Sequence, residues 1–233
     1  MVHRTMPTQQ LTLIEHLRST IWSRGLTPAE MARVEADCSE SLVPRGGFVC
    51  RKGEPVDCWV GIIDGLVKMN NFSPEGKSVT FAGVSTGGWF GEGSLLKDQL
   101  RKYDVMALRD ARVARMPRAS FEWLLDTSLP FNRFLLMQLN ERLGQFIGLV
   151  ENDRMLDLDT RVARCLAAMF NSHLYPGIEK LVQISQEEVG YLSGTSRQRA
   201  NQALQLLEKE GLLRLDYGGI RVLDLDGLRQ FQA

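Results

Sequence analysis

The chain lacks any apolar run approaching the ~18 residues of a membrane span, and its first residues lack a signal-peptide pattern. A cytoplasmic protein with no membrane contact is the expectation. Net charge is missing too: 28 basic residues balance 28 acidic ones, so attraction to a nucleic acid must come from a local patch, not a global field. Cysteine is sparse. Cys38, Cys50, Cys58 and Cys165 are scattered and form no C-x-x-C, as suits a reduced compartment. There is no internal repeat and no low-complexity segment. The glycine-rich stretch Gly87–Gly93 is not followed by Lys-Ser/Thr and is not expected to open a helix after a strand, which argues against a P-loop enzyme. No nucleophile–base set is found, so no catalytic residue is assigned, and no metal site either.

What remains is the composition of a soluble globular protein, 44% hydrophobic and 24% charged over 233 residues, long enough for one large or two ordinary domains. Residues 1–9 read as a disordered lead. Leu13, Ile14, Leu17 and Ile21 stand at helical spacing and predict a helix over 10–24. Thr27-Pro28-Ala29-Glu30 is a capping box that starts a short helix through Ala36. From Leu42 to Arg118 the texture is short β-rich runs: Phe48–Cys50, Cys58–Ile63, Leu66–Phe72, Ser78–Val84, Tyr103–Leu108 and Arg112–Met116. Glycine and proline turns separate them, Ser73-Pro74-Glu75-Gly76 among others, which predicts a compact β-sandwich or roll. Residues 118–126 predict a short helix, and 131–156 a long one. Along the latter, Leu136, Leu139, Leu143, Phe146 and Val150 alternate spacings of three and four. Such a seam suits a subunit interface, with a core helix inside one subunit as the alternative. The polar stretch 151–159 reads as a hinge, followed by a helix over Arg161–Phe170 and a strand over Leu181–Ile184.

The most informative stretch is Ile184–Glu210. Ser185 with Glu188 forms a second capping box, Val189 and Leu192 give an inward face, and Gly194 permits a sharp turn. Thr195 or Ser196 then caps a further helix with apolar residues at Ala200, Ala203, Leu204, Leu206 and Leu207. Its first two turns carry Arg197, Gln198, Arg199, Asn201 and Gln202, with no acid before Glu208. Arg and Gln/Asn are the side chains that read guanine and adenine edges in the major groove. A solvated polar face is the alternative for any one of these residues; the capped helix, glycine turn and clustered Arg/Gln together favour a helix-turn-helix. Leu212–Leu215, the turn Asp216–Gly219 and Ile220–Leu223 supply a wing. Lys and Arg number nine from residue 158 onward, against nine Asp and Glu, so the favourable charge is local to that helix.

This order of segments resembles the catabolite activator protein and fumarate–nitrate regulator (CRP/FNR) superfamily of bacterial transcription factors, over about residue 20 to residue 230. Gly53, Gly65, Gly76 and Gly91-Glu92 stand where that family places its turn glycines and its phosphate-cassette Gly-Glu, and residues 184–204 match its DNA-reading signature. The resemblance implies an α+β chain. A cyclic-nucleotide-binding-like jelly roll would span 1–130, a long dimerisation helix and hinge 131–157, and a winged helix-turn-helix 158–233. It further implies a homodimer on palindromic double-stranded DNA, and RNA polymerase as a partner if the protein activates. Ser185, Thr195, Ser196, Arg197, Gln198, Arg199, Asn201 and Gln202 would face DNA.

In family members that bind cyclic nucleotides, the cassette Glu contacts the ribose and an Arg-Ser pair clamps the phosphate. Here Gly91 and Glu92 are kept, and Arg101 follows nine positions after Glu92, with Lys102 and Tyr103 where small or hydroxyl residues are usual. Loop-length variation also allows Lys102 to take the Arg position, and solvated loop charges are a further alternative. The helix residues aligned with the family's adenine contacts are Ile147 and Gly148, which offer no side-chain hydrogen bond. A small anionic or nucleotide effector other than cyclic AMP is therefore expected, with no cofactor assigned. The N-terminal cysteine cluster of the oxygen-sensing relatives is lacking. His3, His16 and His173 lie outside the roll, and Cys50 and Cys58, in neighbouring predicted strands, read as buried thiols. The competing reading is a ligand-binding module that acts through protein contacts with a vestigial DNA domain.

Overall fold

The computed structural model describes residues 11–72, 78–177 and 180–232. The N-terminal lead, His3 and the turn Ser73–Gly76 lie outside the described residues. Thr12 and Glu15 form a capping box that starts α1 (Leu13–Ser19). Thr20 then turns extended and a 3-10 turn follows at Trp22–Gly25, so the single helix expected over 10–24 is two pieces. The Thr27–Glu30 box starts α2 (Pro28–Asp37) as its sequence dictates.

Eight strands follow: β1 (Ser39–Val43), β2 (Phe48–Cys50), β3 (Cys58–Asp64), β4 (Leu66–Phe72), β5 (Ser78–Ser85), β6 (Trp89–Phe90), β7 (Asp104–Ala107) and β8 (Ala111–Pro117). They pair antiparallel in two sheets, ordered β1-β8-β3-β6 and β2-β7-β4-β5. Inward residues of both, among them Val60, Ile62 and Val113 from one and Val67, Met69, Val84 and Val105 from the other, make one core. Cys50 and Cys58 end and begin consecutive strands, as expected, but in different sheets, and both face that core. A second correction concerns Gly87–Gly93: after β6, Gly91 in a left-handed conformation (φ 101°) opens α3 (Glu92–Leu96). The stretch does open a short helix after a strand.

Helix α4 (Arg118–Thr127) leads through Ser128 into α5 (Leu129–Met155), 27 residues long with Pro130 in its first turn. Phe131 turns fully inward, joining Trp22, Trp59, Trp89 and Phe121 in a core shared by α4, α5 and the N-terminal segment. The Trp59 and Trp89 rings lie 4.5 Å apart, and Gly61 has no room for a Cβ against the Trp89 ring.

The C-terminal part comprises α6 (Leu158–Ala168), β9 (Leu181–Val182), α7 (Gln186–Ser193), α8 (Arg197–Lys209), β10 (Leu213–Asp216), β11 (Gly219–Val222) and α9 (Leu225–Gln230). Its three strands form a small sheet in the order β10-β11-β9. This part rests against the roll. Leu66 of β4 is buried with Leu166, Leu192, Ala203 and Leu204 in the C-terminal core, and Leu192 packs where Gly83 of β5 leaves space. An Arg109–Glu188 ion pair (3.2 Å), an Arg45–Glu187 ion pair (3.3 Å) and Lys68 stacked 4.4 Å over the Tyr191 ring bridge the same boundary.

Candidate nucleic-acid interface and roll site

The Ser185 hydroxyl accepts from the Glu188 amide (3.2 Å), and the Glu188 carboxylate accepts from the Ser185 amide (2.6 Å). This reciprocal pair starts α7. The helix ends at Gly194, left-handed at φ 69°. At the crossing to α8 the backbone runs so close that a Cβ on Gly190 would stand 3.0 Å from the Thr195 carbonyl oxygen. Of the two expected caps, Ser196 is the one used, accepting from the Arg199 amide at 3.2 Å. Ala200, Ala203, Leu204 and Leu207 are fully buried beneath α8, while Leu206 is only half-buried.

On the outer side Ser196, Arg197, Gln198 and Gln202 are exposed and Thr195, Arg199 and Asn201 half-exposed, so the expected reading residues other than Ser185 lie together in the turn before α8 and in its first two turns. Arg199 departs from the others. Its guanidinium donates to Asp159 on α6 at 2.8 Å, which anchors α8 and leaves Arg197 as the freer cation. Beyond α8, Gly218 (φ 82°) turns the wing and Tyr217 projects fully into solvent at its tip. Arg214 and Arg221 both pair with Asp216 at 2.8 Å, holding that carboxyl below its ordinary value through these hydrogen bonds.

In the roll, Arg101 is 4% exposed while Lys102 lies in solvent. Arg101 thus takes the inward position that the sequence left open between the two. Its Nη2 donates to the Cys58 carbonyl (3.1 Å), and its Nη1 has no partner among the described residues. That Nη1 lies 2.6 Å from where a Cβ of Gly91 would stand, and the left-handed φ of 101° favours glycine there. Glu92 is buried in the first turn of α3, where the Trp59 indole donates to its carboxylate at 3.4 Å. Tyr103 packs against the roll core. Burial, reinforced by Glu92 and opposed by Arg142 and Arg101, pushes its phenol up to about 12. Burial likewise pushes the Cys50 thiol up to about 11 and raises that of Cys58, as inert core thiols require. Among the described residues no cluster of three metal-ligating side chains occurs, and no helix is long and apolar enough to cross a membrane.

Along α5, Leu136 (68%), Leu143 (58%) and Val150 (50%) are exposed, with Ile147 beside them, and Leu139 and Phe146 are half-buried. The opposite side holds residues that the sequence reading missed. Gln138 and Arg142 are buried and donate to the Trp89 carbonyl (3.2 and 3.0 Å), and Gln145 donates to the Tyr175 hydroxyl (2.7 Å). Their spacing of four and three was the available signal: polar residues on a helical stripe of their own. Arg109 was missed too, since nothing local marks a lone arginine as the partner of a distant helix cap.

Two family models match the chain: a cyclic nucleotide-binding domain over residues 41–128 and a Crp-like helix-turn-helix domain over residues 160–231. The CRP-like cAMP-activated global transcriptional regulator of Mycobacterium tuberculosis is 26% identical over 209 residues, covering 88% of this chain and 93% of that protein. The cyclic AMP receptor protein of Thermus thermophilus is 29% identical over 204 residues, covering 85% and 90%. Among solved structures, FixK2 of Bradyrhizobium japonicum superposes with a TM-score of 0.70 at 18% identity, covering 84% of this chain and 98% of that one. A CRP/FNR-family transcriptional regulator of Thermus thermophilus gives 0.58 at 25% identity, covering 82% and 97%. With the β-roll, the long helix and the winged helix-turn-helix in this order, the chain belongs to the CRP/FNR family of transcription regulators.

Proposed function

We propose that the protein binds a palindromic DNA site as a homodimer in the cytoplasm, with α5 as the dimer seam and Arg197 and Gln198 as the principal base readers. Its division is roll 1–130, dimerisation helix and hinge 131–157, DNA-binding domain 158–233. The observation that carries this reading is the exposed start of α8, where a side-chain cap is followed at once by Arg197 and Gln198 on a helix fixed from below by four fully buried residues. The exposed leucines of α5 support the seam, because an apolar stripe of that length on a soluble helix is normally covered. Ser185, Thr195, Ser196 and Arg199 position the reader, Asn201 and Gln202 extend it, and RNA polymerase would be the partner at activated promoters.

The roll is read as an anion site made by Gly91, Glu92 and Arg101, with Lys102 outside it. Two relatives are named for cyclic AMP. This chain departs from such a pocket at Tyr103 and at Ile147-Gly148, so cyclic AMP is not its effector.

Selection from random duplexes tests the main reading. The wild type should enrich a palindrome, and Arg197→Ala should lose preference at one base pair per half-site, by ~1–3 kcal/mol of discrimination. An unchanged motif in Arg197→Ala would remove Arg197 from the base-reading set.

A further inference from the structure

Arg101 is a buried guanidinium with one terminal nitrogen unanswered, and a buried cation in that state is costly unless an anion meets it. The chain around it is clamped. The Arg101 amide donates to the Glu54 carbonyl and the Arg101 carbonyl accepts from the Gly53 amide, both at 2.9 Å. The Lys102 carbonyl accepts from the Asn71 side chain at 3.3 Å. Directly after this clamp β7 begins, with Val105 and Ala107 buried in the roll core. Tyr103, in the bend just before β7, packs on that same core. Arg101 and Tyr103, two residues apart, thus both face the roll interior, and Glu92, Arg142 and Arg101 all act electrostatically on the phenol.

We propose that Tyr103 closes the roll to nucleosides, so that the Arg101 site admits only a compact oxyanion such as a phosphate or a carboxylate. The inference rests on the reading of Arg101 as an anion site, and it assigns to one side chain the exclusion of the ribose and base. In the wild type the ring fills the space next to the cation; in its absence the sugar and base of a cyclic nucleotide could enter with the phosphate on the Arg101 Nη1.

Two arms separate the inference from its premise. In the first, inorganic phosphate and acetate are added in parallel to the full-length protein. At least one should raise the melting temperature, as a ligand of the folded state must, and Arg101→Met should abolish the rise. The anion that acts identifies the source; no Arg101-dependent rise from either sinks the premise. In the second arm, cyclic AMP is titrated calorimetrically. Wild type and Tyr103→Phe, which keeps the bulk, should give no binding heat. Tyr103→Ser should bind at least tenfold more tightly than wild type, and the gain should vanish in Tyr103→Ser/Arg101→Met. Micromolar binding to the wild type, or a folded Tyr103→Ser protein without gain, overturns the inference. If Tyr103→Ser is unstable, Tyr103→Val takes its place, since it keeps an apolar side chain at the inward position.

Discussion

Two side chains show how local chemistry decides what a residue contributes here. His16 is 3% exposed, stacks against Trp89 and has no partner on Nε2 among the described residues. Burial first, then the Arg112 cation, lower its pKa from 6.5 to about 4, with Glu40 opposing. Because the folded state holds the neutral imidazole, the unfolded chain binds the proton first as pH falls. The stability that His16 contributes is therefore complete above pH 6.5 and lost between there and about 4. Urea unfolding at the two ends of that window should show a loss on the order of 3 kcal/mol that His16→Phe largely removes. Ser196 differs in kind: its hydroxyl holds the start of α8 and carries no sequence information. Ser196→Ala should cost about 1 kcal/mol of stability and weaken binding to all duplexes alike, as filter binding against several sequences would register.

At the scale of elements, α5 has two stripes with opposite duties. Gln138, Arg142 and Gln145 tie it to the Trp89 carbonyl and to Tyr175, while Leu136, Leu143 and Val150 face outward. Leu143→Glu leaves every bond of the inner stripe intact and sets two carboxylates across the proposed seam. Light scattering should then report monomers, and a mutant that stays dimeric would move the interface elsewhere. Much of this architecture was legible in the chain. The three capping boxes and Gly194 act through their own backbone, so the boxes at Thr27 and Ser185 and the turn at Gly194 could be read at once. Strands β2 and β4 carry enough β-branched and apolar residues between turn glycines to fix both their ends. Strand β1 was missed because Ser39-Glu40-Ser41 is polar and mostly exposed, held by its ladder with β8 and not by a buried face of its own. Strand β6 and helix α3 span two and five residues, too few for any period to show. Phe131 and Phe134, on the same helix just before the seam residues, turn toward the tryptophans, since the start of α5 packs on the roll.

For the whole molecule, the decisive feature is the boundary between roll and helix-turn-helix, which no local pattern announces because its partners are 79 to 142 residues apart. Arg109 donates to both oxygens of Glu188 and to the Gln183 carbonyl, and Glu188 is also the carboxylate of the α7 capping box. Arg109→Ala strands that carboxylate largely buried, at a cost of about 1–3 kcal/mol. Calorimetry should show one transition in the wild type and a separable, earlier melting of the C-terminal part in Arg109→Ala. A single unshifted peak in the mutant would mean that the ion pair does not join the two parts. Leu66 carries the same theme into the interior: a residue of a roll strand completes the core of the other half of the chain. The two halves are therefore not interchangeable cassettes. In a hybrid that joins this helix-turn-helix to another sensor, a smaller residue at the place of Leu66 would leave a hole, and any side chain at the place of Gly83 would press on Leu192. Whoever builds such a hybrid will have to graft these two roll positions along with the DNA-binding part.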